Sequence, residues 1–373
     1  MRLVIVLLPI IKMSFVFRFK IIQLFLFITS SFNCSFSLSS DDVDKLLQQH
    51  YDFKDSMRQQ FGGRFTIGIN DPQSDTGEYP VRQAEVRPFY MDTYPVTVAQ
   101  FWKYKMAKKK YRTSAETNGY SWVLARLVSD LIRRRWSSES ADPWWLAVKG
   151  AQWDRPEGPG THARTRLDYP VVHVSYHDAR AYCQWSGKRL PTEEEWEYAA
   201  RAQLPGLQYP WGDKYKKNRM NVWQGKFPDD DTALDGWAGL SPVDAFPSQN
   251  NNSMYDMLGN AWEWTSTRYY ERVVDRKLQE LKYVLKGGSY MDTKDGSANY
   301  VVRTANRMGQ VPAYSAHNVG FRCAASAPHL VQRQRMTEQA KETPTTTRRP
   351  PKIHRLEEMA FPPPRSNRKK EEL

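Results

Sequence analysis

Cysteine is scarce in this 373-residue chain: there are three, Cys34, Cys183 and Cys323, and no two of them form a C-x-x-C. That spacing excludes a thioredoxin-type dithiol and a cysteine-ladder zinc site. The seven histidines offer one close pair, His173 and His177 in PVVHVSYHDARAY. VVHVSY alternates like a strand and no third ligand stands nearby, so the pair reads as structural and hydrogen-bonded rather than zinc-binding. There is no G-x-S-x-G and no phosphate-cradling glycine loop, which removes a serine nucleophile elbow and a mononucleotide site. DTKDGSAN, from Asp292, fails as an EF-hand loop: Lys294 falls at position 3, Gly296 at position 5 and Arg303 at position 12, where carboxylates are needed.

Aromatic residues are plentiful, with 13 Trp, 20 Tyr and 16 Phe, and 20 Gly and 23 Pro punctuate the chain. This points to a loop-rich domain packed around aromatic side chains rather than a helical bundle. The net charge of +13 resides mainly at the two ends. Residues 1–38 hold Arg2, Lys12, Arg18 and Lys20 without an acid, and residues 328–373 hold eleven Lys and Arg against six Glu. The ordinary balance of the middle argues against a nucleic-acid partner.

The basic FRFK followed by IIQLFLFITSSF and small residues reads as a secretory signal peptide over residues 1–37, leaving no membrane insertion of the mature chain. The last residues, Lys370, Glu371, Glu372 and Leu373, differ from a K-D-E-L retrieval signal by one methylene. Together the ends predict the endoplasmic reticulum lumen. Residues 328–373, with TPTTTRRPP and FPPPR, read as a disordered tail. With Cys34 in the leader, Cys183 and Cys323 are an even pair in an oxidising compartment, as a structural disulfide requires.

Along the body, a helical segment is expected over residues 38–63, a strand and turn at RFTIGIND, and a helix starting near Val96 to Ala99. SWVLARLVSDLIRRRW carries apolar residues at helical spacing and leads into the aromatic loop DPWWLAVKGAQW. HDARAYCQWSGKRLPTEEEWEYAARA predicts two helices. The first is capped by Asp178 and stops at Gly187; the second is capped by Thr192 with Glu195 completing a capping box, and turns Trp196, Ala199 and Ala200 inward. Glu193 to Glu195 then complement the helix dipole. From YPWGD onward helical spacing disappears and oxygen-rich turns dominate. Asn251, with Asn252 and Ser253, is a glycosylation sequon. The stretch from Leu285 to Arg307 has a Gly-Gly entry, a polar turn, and an exit through Tyr300, Val301 and Val302 that resembles a strand.

RLPTEEEWEYAARA, PWG, NVWQGKFP, GNAWEWTS, GGSYMD and NVGFRCA, in that order between about Arg64 and Ala327, resemble the formylglycine-generating enzyme (sulfatase-modifying factor) family, and within it the branch without catalytic cysteines. The resemblance implies an α+β single domain over residues 64–327, irregular and low in secondary structure, distantly like a C-type lectin. It implies two calcium sites: one from Asn221 and Asp235 side chains with Val222 and Trp237 carbonyls, the other from Asp256 and Glu263 side chains with Gly259 and Ala261 carbonyls. Asp256 stands where the active enzyme has Asn. The family disulfide maps to Cys183 and Cys323; a second maps to Ala200 and Val302 and is absent. The active enzyme converts a sulfatase cysteine to formylglycine through two cysteines, six positions apart counted inclusively, that bind the soft ion Cu(I). Here those positions are Asp292 and Ser297, so no copper is expected; Ser289 matches a retained active-site serine.

The expected protein is therefore a non-catalytic lumenal paralogue. It would bind sulfatases or the active enzyme, as a homodimer or heterodimer, and would modulate sulfatase activation, with inhibition implied by the resemblance. The alternative is an active formylglycine-generating oxidase working through Cys183 and Cys323.

Overall fold

The computed structural model describes residues 56–328, apart from 75, 136–141, 205 and 272–278. The expected leader, the tail and its retrieval signal lie outside the described residues. Strands β1 (Met57–Gln60) and β11 (Ala324–Ser326) flank β4 (Phe89–Asp92), both antiparallel to it. The start of the domain is thereby tied to its end. β1 corrects the helix expected over 38–63, whose earlier residues are not described. The domain also begins before Arg64.

β2 (Gly63–Ile67) and β3 (Arg82–Val86) form a hairpin-like pair, Phe65 opposite Ala84. Helix α1 (Val98–Ala107) starts where expected, because Thr97 accepts from the Gln100 amide and Gln100 reaches back to the Thr97 amide. A short α2 (Ser114–Asn118) follows, capped by Thr113. β5 (Tyr120–Leu124) pairs antiparallel with β6 (Trp145–Lys149), so Trp122 sits opposite Ala147 and Leu124 opposite Trp145. The helix suggested by SWVLARLVSDLIRRRW is therefore wrong over its first third. Ser121, Val123 and Leu124 are buried in a strand, and helix α3 (Asp130–Arg135) starts only later.

Helix α4 (Tyr176–Trp185) is capped by Ser175 rather than Asp178. Asp178 is the third residue of its capping box, with its carboxylate on the Ser175 amide at 2.8 Å. α5 (Glu193–Arg201) has the expected Thr192–Glu195 box and buries Trp196, Ala199 and Ala200. Among the described residues no helix or extended strand runs between Arg201 and Trp262. The second sheet runs in the order β10 (Val319–Gly320), β7 (Trp262–Tyr269), β8 (Lys282–Lys286), β9 (Arg307–Gln310), parallel only between β10 and β7. Tyr300 to Val302 contributes a single bridge, Val301 to Thr293, rather than a strand.

Cys183 of α4 and Cys323 form a disulfide across 140 residues, both sulfurs buried in the main aromatic core with Phe101, Tyr182 and Phe321. Ala200 and Val302 share the other large apolar cluster, built around Trp196, Met257 and Leu258. Apolar packing thus occupies the place of the second family disulfide. Beneath α5 lies a buried ionic cluster: Lys286 Nζ sits 2.9 Å from Glu197, which also pairs with Arg201 at 2.7 Å. Among the described residues no helix is long and apolar enough to cross a membrane.

Candidate functional site

A cleft of about 350 Å³ is lined by residues of the β5–β6 pair and of the second sheet. Trp122 of β5 and Trp145 of β6 form one wall with Trp144; Trp262 of β7, Met308 and Gln310 of β9 and Tyr314 form another. Met291, Asp292, Asn299, Tyr300 and Asn318 supply the floor. Strands thus hold three of the six aromatic rings, Trp122, Trp145 and Trp262, while Asp292 and Asn299 come from the loop after β8.

That loop is tightly specified. Gly288 turns at φ 76°, and a Cβ there would meet Val302 at 3.0 Å, which only glycine avoids. Asp292 is 2 % exposed. Its Oδ2 accepts from the Ser289 amide at 2.8 Å and from the Ser289 hydroxyl at 2.6 Å; its Oδ1 accepts from the Tyr300 amide at 3.2 Å. Burial pushes the Asp292 carboxyl up to about 6, against the pull of the Ser289 and Tyr300 donors. Asn318 Nδ2 donates to Ser289 Oγ at 3.2 Å, so Ser289 is held by a carboxylate and an amide and is itself fully buried.

Ser297 is not part of this arrangement. It lies on an exposed turn, with its hydroxyl 2.7 Å from Asp295, and lines a separate recess with Tyr215, Trp223 and Leu234. The two positions that match the family's thiols therefore face different surroundings. Cys183 and Cys323 are both 0 % exposed and disulfide-bonded, and no other cysteine lies among the described residues.

Several of the residues carried over as calcium ligands lie in two adjoining groups, Asn221 of the first and Asp256 of the second both bonded to Asn260. Asp235 accepts from the Val222 amide at 3.1 Å and the Trp237 amide at 3.0 Å, beside Asn221. Burial raises its carboxyl above the usual range. Asn221 donates through Nδ2 to the Gly239 carbonyl, while its buried Oδ1 has no hydrogen-bond partner. In the second group Asp256 is pushed well up by burial, and Glu263 takes Arg322 through both oxygens and Trp196 through Oε2. Gly259 packs so close to Asn221 that a Cβ would lie 2.3 Å from its carbonyl oxygen. Sequence reading missed Asn260, the joint between the groups. It is fully buried at φ 61°, donates to Asp256 at 2.7 Å and accepts from Asn221 at 3.2 Å. Its only signal was its place inside GNAWEW. Among the described residues no three His, Cys, Asp or Glu side chains converge on one point.

The remaining candidates resolve as structural. His173 is buried, and its Nε2 donates to the Pro156 carbonyl at 2.7 Å; burial lowers its pKa to about 3 and keeps it neutral, whereas His177 is exposed. Glu193, Glu194 and Glu195 pair with Arg307, Arg82 and Arg189 respectively. Asn251 is exposed, as a glycan acceptor must be.

Sparse regular structure around two aromatic clusters, with a tryptophan-walled cleft that holds the Asp292 carboxylate, itself bonded to the buried Ser289, defines a sulfatase-modifying-factor-type domain without thiols at the cleft. The comparisons agree: residues 51–327 match the sulfatase-modifying factor enzyme 1-like domain, and the chain belongs to that family. A Bos taurus protein named inactive C-alpha-formylglycine-generating enzyme 2 is 51% identical over 267 residues, covering 71% of this chain and 86% of its own. The Bos taurus formylglycine-generating enzyme is 45% identical over 275 residues, covering 70% and 72%. PvdO from Pseudomonas aeruginosa, at 22% identity and a TM-score of 0.51 over 73% of this chain and 94% of its own, shares the fold.

Proposed function

We propose that this chain is a non-catalytic paralogue of formylglycine-generating enzyme that binds sulfatases or the active enzyme in the endoplasmic reticulum lumen and restrains sulfatase activation. The observation that carries this reading is the state of sulfur in the domain. The two cysteines of the described residues are buried in a disulfide, and Asp292 and Ser297 stand at the thiolate positions without sharing a site. A hard carboxylate is a poor ligand for Cu(I), so oxidation through copper thiolates has no seat here. The fold and the cleft are nevertheless retained, which a binding role needs and a decayed enzyme does not. The relative named inactive supports the same reading.

We also assign two structural calcium ions to the adjoining groups. The residues fit: the orphaned Asn221 Oδ1 and the desolvated Asp235 offer hard oxygens in the first, and the desolvated Asp256, beside Glu263, offers them in the second. Calcium there would fix the long irregular segment between α5 and β7. Co-expression of this chain with a sulfatase and the active enzyme tests the function. Lower formylglycine yield by peptide mass spectrometry, with co-precipitation of sulfatase or active enzyme, is expected; unchanged yield without co-precipitation refutes it. Conversion of a cysteine peptide by the purified chain with copper and oxygen would instead favour an oxidase.

A further inference from the structure

The recess beside Ser297 shares none of its described lining residues with the tryptophan-walled cleft and holds about 450 Å³, within the range of small-molecule sites. Its wall is fixed by its own hydrogen bonds: the Thr232 amide and hydroxyl close a loop onto the Gln224 carbonyl at 2.6 and 2.5 Å. The unspent groups of this wall are donors. Trp223 is 3 % exposed, and its Nε1 and the Gln224 Nε2 are buried without a hydrogen-bond partner in the protein. Both are N–H groups, so calcium in the neighbouring group cannot satisfy them. Lys217 and Lys294 also line the recess, and among the described residues neither is ion-paired; Lys294 Nζ lies 5.2 Å from the centre of the Tyr215 ring. The carboxylates are engaged elsewhere. Asp295, the one carboxylate of the described lining, accepts from the Ser297 amide at 3.1 Å and from its hydroxyl at 2.7 Å. Asp231, behind Gln224, accepts from the Gln224 and Ala233 amides and lies 3.7 Å from Arg126. A buried donor without a partner is costly, and a ligand that offers only acceptors relieves that cost. Turning the Gln224 amide toward such a ligand breaks no hydrogen bond of that nitrogen.

We propose that this recess is a second ligand site, separate from the cleft, that takes a small oxyanion monoester: a sulfate or phosphate group carried on an organic body. The oxyanion sits on the Lys217 and Lys294 ammonium groups and the Gln224 amide, which supply charge-assisted and neutral donors to oxygens that only accept. The recess is larger than a bare oxyanion needs, and Tyr215 and the exposed Leu234 give the organic body an apolar wall. The site goes beyond the binding of a sulfatase or the active enzyme and does not depend on it.

Isothermal titration calorimetry of the full chain tests this, with phenyl sulfate, phenyl phosphate, inorganic sulfate and benzyl alcohol as probes. At least one phenyl ester is expected to bind about tenfold or more tighter than benzyl alcohol, the scale of one charge-assisted hydrogen bond, and the tighter of the two esters identifies the oxyanion. Replacing both exposed lysines, as Lys217→Gln with Lys294→Gln, should remove that preference. Lys109→Gln, on an exposed turn after α1, should leave it intact. Gln224→Leu should weaken the ester by about threefold to tenfold, the loss of one donor. No binding of either ester at millimolar concentration, equal binding of benzyl alcohol, or an ester preference that survives loss of both lysines would each overturn the proposal. Inorganic sulfate binding as tightly as phenyl sulfate would overturn the assignment of a monoester. Should Gln224→Leu fail to fold, the double lysine variant decides alone, since both of its changes lie at the surface.

Discussion

Removing the charge of Asp292 should change how stability depends on pH. Burial raises its carboxyl from an ordinary 3.8 to about 6. The unfolded chain loses this proton near 3.8 and the folded protein near 6, so between those values the folded state binds more proton. Stability must then fall as pH rises through that window and level off above it. At roughly 1.4 kcal/mol per pKa unit, the difference amounts to about 3 kcal/mol. Asp292→Asn stays neutral throughout and lacks this dependence. The variant pays a constant cost of about 1 kcal/mol, because an amide cannot accept from both Ser289 and the Tyr300 amide. Urea unfolding followed by tryptophan fluorescence, at fixed calcium from about pH 4 to about pH 7.5, measures both proteins. Wild-type stability minus variant stability should fall by roughly 2 kcal/mol across the acid half of that range and by about 2.4 kcal/mol over all of it, the rest of the difference lying below pH 4. A difference that is flat within about 1 kcal/mol, or that rises with pH, would refute the assignment of Asp292 as a desolvated carboxyl.

Replacing both Cys183 and Cys323 by Ser opens a 140-residue loop and should lower stability by up to about 5 kcal/mol in the chain-entropy account, read as a large drop in melting temperature. Lys286→Met leaves Glu197 and the Ala305 carbonyl short of a buried donor and should cost about 3–5 kcal/mol in denaturant unfolding; a loss below about 1 kcal/mol would show that water replaces the ammonium. Chelation of calcium should lower the melting temperature, since ions that bind only the folded state add to its stability. Asn221→Leu should remove much of that response, and an identical chelator effect in wild type and variant would show the first group is not a calcium site.

Locally encoded features were legible. The Thr192–Glu195 and Thr97–Gln100 caps are written within four residues, so α5 and α1 start as expected. Asp178 was given the wrong place in its box because Ser175 and Asp178 satisfy one another reciprocally, and only the backbone distinguishes cap from third residue. The strand β5 was misread because Trp122, Val123, Leu124, Leu127 and Val128 mimic helical spacing. Its partner β6 begins some twenty residues later, so the pairing that decides the matter is not local. Of the candidate site, Asp292 and Ser289 were visible as positions, and the disulfide as a pair of cysteines. Asn260 and Asn318 were not, because nothing in their own neighbourhoods reveals that they are buried beside orphaned or desolvated oxygens.

The sequence by itself settled the chemistry of the chain: two cysteines for one disulfide, no thiol at the positions 292 and 297, hard oxygens concentrated before β7, and the ordered motifs that carry family membership. Those follow from residue identity and spacing. Tertiary structure decided what the identities do. It drew tryptophans from β5, β6 and β7 to one cleft, buried Asp292 deeply enough to raise its carboxyl, and turned Ser297 away to the surface. Burial and proximity between segments more than a hundred residues apart arise from packing, and packing is a property of the whole chain rather than of any stretch of it.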